Sequence, residues 1–233
     1  MMSDQARIER ALSFIDSLRV DETRSEYFEV AEQDHSEYMM YTQSQYLLSV
    51  MFKLLGKEEL YQAIRRKHSP DEPDNDPTRH GHKAGDRFCV LEGDIERFYL
   101  AGRDDAESND EIALEALYWL ERKHPIKLPE VRYRRKAMKL WEKLLSRYIP
   151  SKGVLEMDRG DLENSFYPVY KVSLLGILAK KMEHSETLAN VRASLEMWQH
   201  RAGGWVTDRT LQLEPDGVAN IETTALAILA LAT

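Results

Sequence analysis

Acidic and aromatic polar side chains stand at or just before the starts of four apolar segments in this chain of 233 residues. Such side chains perform general acid–base chemistry when burial or a nearby like charge raises the pKa of one of them. An acid also suits the positive N-terminal end of a helix, so a structural role stays open for each carboxylate. The candidates for catalysis are Asp158, Asp161, Asp208 and Glu222. The candidates for ligand binding are His35, Tyr38, Asp110, Tyr167 and Tyr170, and Glu111 stands beside Asp110.

Metal and thiol chemistry have weaker support in the sequence. His80 and His82 form an H-x-H pattern near Asp74 and Asp76, and such a set can bind a transition metal. The spacing is unspecific and two histidines do not complete a site, so we interpret these residues as solvated and predict no metal. Cys89 has no neighbour in sequence that would lower the pKa of its thiol, which indicates packing rather than nucleophilic chemistry. The sequence indicates no particular cofactor.

Two kinds of helical segment alternate along the chain and must position these side chains. One kind is amphipathic, with apolar residues at helical spacing on one face only. The other kind is apolar on more than one side, as is typical of a helix buried among other helices. The amphipathic segments are 4–19, 57–68, 131–148 and 188–198, and the apolar segments are 44–55, 111–120, 168–179 and 221–232. The alternation predicts an all-α fold in which outer helices surround inner helices, as four helical hairpins.

The four apolar segments also indicate a loose internal repeat. Leu47, Leu114, Leu174 and Leu226 can be taken as equivalent positions, with the variation in spacing located in the loops. We therefore predict one domain over residues 1–233. Residues 69–110 interrupt the repeat as a long acidic loop insertion, partly mobile, in which 89–100 could form a short helix or hairpin.

One stretch near the C-terminus carries a resemblance to a known family. "QHRAGGW" contains Gln199, Gly203 and Trp205, and it is followed by "ANIETTALAILAL" over residues 219–231. The first stretch is similar to the QW repeat of squalene and terpenoid cyclases. The second resembles the inner helix that follows such repeats in the cyclases and in protein prenyltransferase beta subunits. The resemblance is clear over the C-terminal end of the chain and fainter over residues 131–180.

The resemblance implies an α/α toroid, or an open arc if only four hairpins are present. In such a fold the N-terminal ends of the inner helices face one end of a central cavity, where the candidate residues above would meet. Gln199 and Trp205 would tie neighbouring hairpins together by bonding and stacking at a helix end, where backbone groups need partners. Asn220 is expected to be the N-cap of the last helix. The chain lacks both the D-x-D-D motif of the cyclases and the zinc-binding set of the prenyltransferases.

Three functions remain open at this level. The resemblance implies binding or conversion of an apolar, isoprenoid-type small molecule in a central cavity. A glycan-active hydrolase or lyase could instead use a pair of carboxylates, such as Asp158 or Asp161 with Glu222. A non-catalytic scaffold would present a concave helical face to a protein partner or to a second copy of the chain.

The composition limits the partners and the cellular compartment that we expect for the protein. The net charge of -8 argues against a nucleic-acid partner, which would require a basic surface. No apolar run is long enough for a membrane span, and the N-terminal residues lack the pattern of a signal peptide. A single cysteine is compatible with a reducing compartment. These features predict a cytoplasmic protein.

Overall fold

The computed structural model describes residues 2–30, 40–75, 81–100, 108–122, 130–154, 156–158 and 161–232, with the backbone alone at 100, 130, 131, 156–158 and 161–165. Most of these residues are helical. The helices are α1 (Asp4–Ser17), α2 (Thr42–Leu54), α3 (Glu58–Lys67), α4 (Cys89–Glu92), α5 (Ile95–Leu100), α6 (Asn109–Glu121), α7 (Glu130–Leu145), α8 (Val169–Lys181), α9 (Ser185–Trp198) and α10 (Ile221–Leu231). The strands are β1 (Tyr148–Ile149), β2 (Gly153–Val154), β3 (Glu156–Asp158), β4 (Asp161–Pro168), β5 (Val206–Thr210) and β6 (Pro215–Ala219).

Four helices form the centre of the molecule. Helices α2, α6, α8 and α10 are buried along nearly their whole length, whereas α3 buries only Ile64. This difference follows from the sequence, because an almost wholly apolar helix is stable only when other elements cover all of its faces. The four leucines at equivalent positions, Leu47, Leu114, Leu174 and Leu226, are fully buried.

Each central helix packs against an amphipathic helix. Helix α3 packs on α2, α7 on α6, α9 on α8, and α1 on α10. The central helices also pack on one another, α10 lying against both α2 and α8, and α8 against α6. Helix α4 contacts both α2 and α6. This arrangement places the N-terminal ends of the four central helices close to the segment that precedes α4.

The first helix of the chain is joined to its last part by close backbone contacts. The side-chain nitrogen Nε2 of Gln199 donates to the carbonyl oxygens of Arg7 at 3.1 Å and of Gly203 at 2.7 Å. A Cβ atom at Gly204 would lie 2.5 Å from the ring of Phe14. Small residues are therefore required where α1 meets the turn after α9.

Trp205 anchors the same turn from the other side. Its ring is fully buried, and its indole Nε1 donates to the carbonyl oxygen of Leu195 at 2.8 Å. Its backbone nitrogen donates to the hydroxyl oxygen of Thr224, in α10, at 3.0 Å. Gln199 and Trp205 thus connect α9, α1 and α10.

The prediction of an all-α fold, as a toroid or an open arc, is wrong because the described residues form two antiparallel sheets. Strands β1 and β2 form a short hairpin, and a four-stranded sheet has the order β3-β4-β5-β6. Phe166 pairs with Thr210 and Pro168 with Asp208, so the segments before α8 and before α10 are joined. The β-branched residues of "VTDRT" favour a strand locally, but the pairing between distant segments makes the sheet.

The insertion predicted over residues 69–110 contributes to the core. Its described part contains α4 and α5, and it buries Ala84, Phe88, Cys89, Val90 and Phe98. No helix among the described residues has both the length and the apolar character that crossing a membrane requires.

Candidate functional site

A polar pocket lies where the N-terminal ends of the central helices meet the segment before α4. Its volume is about 240 Å³. Helix α2 contributes Gln43, helix α6 contributes Asp110 and Glu111, and helix α8 contributes Tyr170, all from their first turns. The segment before α4 contributes His82, Asp86 and Arg87. We call these seven residues the polar pocket.

Arg87 is the centre of a buried ion-pair cluster in this pocket. Its Nη1 donates to Oε1 of Glu222 at 2.9 Å, and its Nη2 donates to Oδ2 of Asp110. Its guanidinium carbon lies 5.4 Å from the centre of the Tyr170 ring and 5.0 Å from that of Phe88. The Arg87 side chain is only 7% exposed, so this cation depends on the two carboxylates for its charge compensation.

Lys171 adds a second cation on the other side of Asp110. Its Nζ lies 3.4 Å from Oδ1 of Asp110, and the lysine is buried. Arg87 and Lys171 therefore approach different oxygens of one carboxylate. Lys171 is the only charged residue in the first nine residues of α8, and its partner there is the buried carboxylate of Asp110.

These contacts decide the protonation of the buried groups. Burial alone would raise the pKa of Asp110, but Arg87 and Lys171 outweigh burial and hold the pKa well below its usual value. Burial alone would lower the pKa of Arg87, but Glu222 and Asp110 raise it. Burial, with Asp110 nearby, raises the pKa of Tyr170, so this phenol keeps its proton and can donate a hydrogen bond.

Gln43 carries an unused hydrogen-bond donor in the polar pocket. The residue is 3% exposed, and its amide nitrogen Nε2 is buried with no hydrogen-bond partner among the residues that the structure describes. A buried amide donor without a partner costs about 1–3 kcal/mol. Because Gln43 lines the pocket, an acceptor supplied by a ligand would satisfy this donor if the amide group turned toward it.

Local sequence positions the two helices that bear the carboxylates. The backbone nitrogen of Ser108 donates to Oε2 of Glu111 at 3.4 Å, and this Ser-x-x-Glu spacing favours a helix start. The side-chain oxygen Oδ1 of Asn220 accepts from the backbone nitrogen of Thr223 at 2.8 Å, which confirms Asn220 as the N-cap of α10. Glu222 stands two residues after Asn220 and reaches Arg87.

The structure brings together three of the residues that the sequence indicated. Asp110 and Tyr170 line the polar pocket, and Glu222 contacts Arg87 beside it. Tyr167 is buried in β4, where it pairs with Arg209 of β5.

The other predicted site residues lie elsewhere. Asp158 in β3 and Asp161 in β4 are partners across the sheet, and the structure describes only their backbone. Asp208 lies in β5, outside the set that lines the pocket. His35 and Tyr38 fall outside the described residues.

The structure describes only one of the two histidines considered as metal ligands. His82 lies at the polar pocket, whereas His80 and Asp76 fall outside the described residues. Within the described ranges, no three His, Cys, Asp or Glu side chains form a group that could hold a metal ion.

Sequence reasoning missed four residues of this site, namely Gln43, Asp86, Arg87 and Lys171. One of them left a signal: Lys171 is a charged residue inside the apolar segment 168–179, and it is buried. Arg87 left none, because it stands among many charged residues in the segment before α4.

Comparison with known proteins found no relative of this chain: it matches no protein-family model, no curated protein and no solved structure. The resemblance to terpenoid cyclases and prenyltransferases stays a prediction from the motif alone.

Proposed function

We propose that the polar pocket binds a small ligand rich in hydroxyl groups, about the size of one sugar ring. The observation that carries this proposal is the buried Nε2 of Gln43, which has no partner among the described residues and belongs to a residue that lines the pocket. A hydroxyl oxygen of the ligand would accept from this amide, and the same hydroxyl could donate to a carboxylate such as Glu222.

The volume of the pocket supports a ligand of this size. About 240 Å³ lies below the ~300–1,000 Å³ that is usual for sites of drug-sized molecules. Tyr170 lines the pocket among charged groups, and the guanidinium carbon of Arg87 lies 5.4 Å from the centre of its ring. This combination fits the carbohydrate class among the functions that the sequence left open.

The lining disfavours an isoprenoid in this pocket. An apolar chain would cover Arg87, Asp110 and Gln43 without offering them a hydrogen bond, and burying polar groups in this way costs free energy. The isoprenoid prediction therefore has less support than a polar ligand at this site.

We propose binding rather than hydrolysis. Asp110 is held ionised by Arg87 and Lys171, so it lacks the proton of a general acid. One oxygen of Glu222 already accepts from Arg87. The site thus recognises a ligand through charges that are already fixed.

The cellular location and the assembly state of the protein are also proposals. We propose a cytoplasmic location, to which the single buried cysteine is suited. A homo-oligomer or a protein partner remains a prediction from the sequence. The exposed large apolar residues stand on different elements, as with Leu54 in α2, Tyr99 in α5 and Met197 in α9.

Saturation-transfer NMR with D-glucose and with farnesol tests the proposal. We expect transfer to glucose from the native protein and from Gln62→Met, which changes an exposed glutamine of α3 as a matched control. We expect no transfer to glucose from Gln43→Met, which removes the amide donor at similar side-chain volume. Transfer to farnesol but not glucose, or equal transfer to glucose from both variants, would refute the proposal.

A further inference from the structure

The residues around the polar pocket carry an excess of negative charge. Asp86, Asp110 and Glu111 line it against one fixed cation, Arg87. Lys171 and Glu222, which contact Asp110 and Arg87, cancel each other. Among the described residues that line the pocket, two negative charges are therefore left over with His82 counted as neutral.

The excess charge belongs to Asp86 and Glu111, since Asp110 and Glu222 are bound to cations. Both acids are half-buried rather than sealed in the core. One oxygen of Asp86 accepts from the backbone nitrogen of Lys83 at 2.9 Å, and one of Glu111 accepts from that of Ser108 at 3.4 Å. Each carboxylate is thus held in place by a backbone donor that brings no full positive charge.

The N-terminal ends of the helices make the two sides of the pocket electrostatically different. Helix α6 has two acids in its first turn, whereas α2 and α8 have none. The N-terminal end of a helix carries a partial positive charge, and the first turn of α2, which contains Gln43, has no acid to offset it. An electron-rich oxygen is therefore favoured near Gln43, and a cation is favoured near Glu111.

We infer that the ligand of the polar pocket carries an amine as well as hydroxyl groups, as an amino sugar does. This inference rests on the proposed function and names the class of ligand for the same site. A hydroxyl oxygen accepts from Nε2 of Gln43, and a protonated amine binds the carboxylates of Glu111 and Asp86. The ligand would thus supply a hydrogen-bond acceptor for Gln43 and a positive charge for the carboxylates of Glu111 and Asp86.

Titration calorimetry with D-glucosamine and D-glucose tests the inference, near pH 7, where an amine of ordinary pKa is protonated. We expect the native protein to bind glucosamine about fivefold more tightly than glucose, as two partly exposed ion pairs would provide. Raising the salt concentration should reduce this ratio, because salt screens such pairs.

The variants Glu111→Gln and Asp86→Asn remove charge but keep an oxygen for Ser108 and Lys83. Each should lower the ratio of the two affinities about twofold, and the double variant should bring it close to one. Glu186→Gln, in the first turn of α9 and exposed, is the matched control and should leave the ratio unchanged.

The outcomes separate the two proposals. If neither sugar binds, the proposed function fails, and the inference fails with it. If both sugars bind equally at low salt, or if the double variant keeps the preference of the native protein, only the amine inference is overturned. Thermal unfolding of each variant shows whether a loss of binding reflects a loss of folding.

Discussion

Replacing Arg87 with methionine would test whether the buried ion pairs hold the central helices in place. Methionine keeps much of the side-chain volume but removes the contacts with Glu222 and Asp110. Removing one partner of a buried pair costs about 3–5 kcal/mol, because the remaining charge is left without compensation. Lys171 stays 3.4 Å from Asp110 and compensates in part. We therefore expect a loss of about 3 kcal/mol, at the lower end of this range.

For a chain of this length, such a loss lowers Tm by about 6–12 °C. Thermal unfolding followed by circular dichroism, with urea unfolding at pH 7, would measure it. The matched control is Arg97→Met, since Arg97 also contacts two carboxylates, Asp71 at 2.7 Å and Asp94 at 3.1 Å. These two acids are 60% and 40% exposed, so the control should lose less than about 1 kcal/mol.

Similar losses in the two variants would refute this reasoning. They would mean that the pairs of Arg87 contribute no more than exposed ion pairs. A loss below about 1 kcal/mol in Arg87→Met would have the same meaning.

Three further predictions follow from the contacts. Gln43→Met should raise stability by about 1 kcal/mol, and Tm by about 2–4 °C, because it removes a buried donor that has no partner among the described residues; a fall in Tm would contradict this. The folded-state pKa of Asp110 is depressed, so its contribution is complete above an unfolded pKa of about 3.9 and is lost as the pH falls through the lower folded value. The stability difference between the native protein and Asp110→Asn, measured by urea unfolding, should therefore shrink below about pH 4, and a constant difference would count against the ion pairs. Gly204→Ala should cost about 1–3 kcal/mol in thermal unfolding, because its Cβ would meet the ring of Phe14 at 2.5 Å; an unchanged Tm would show that the turn can shift.

The sequence predicted the central helices well because each of them is apolar over a continuous local stretch. The burial of Leu47, Leu114, Leu174 and Leu226 and the Asn220 cap depend on residues within one helix. The sheet was missed for the opposite reason. Strand β4 pairs with β5, and two helices, α8 and α9, separate these strands in the sequence. A local sequence pattern contains no information about so distant a partner.

In the candidate site, too, local sequence predicted some features and tertiary structure decided the others. The first turns of α6, α8 and α10 already indicated Asp110, Tyr170 and Glu222 as polar residues at helix starts. Which charges meet was decided by tertiary structure, since Arg87 contacts Asp110 and Glu222 across 23 and 135 residues of sequence. Residue type and local spacing determine where a helix begins and which faces it must bury. Only packing of the whole chain decides which buried charges compensate one another, because that energy depends on distances of a few ångströms between distant segments.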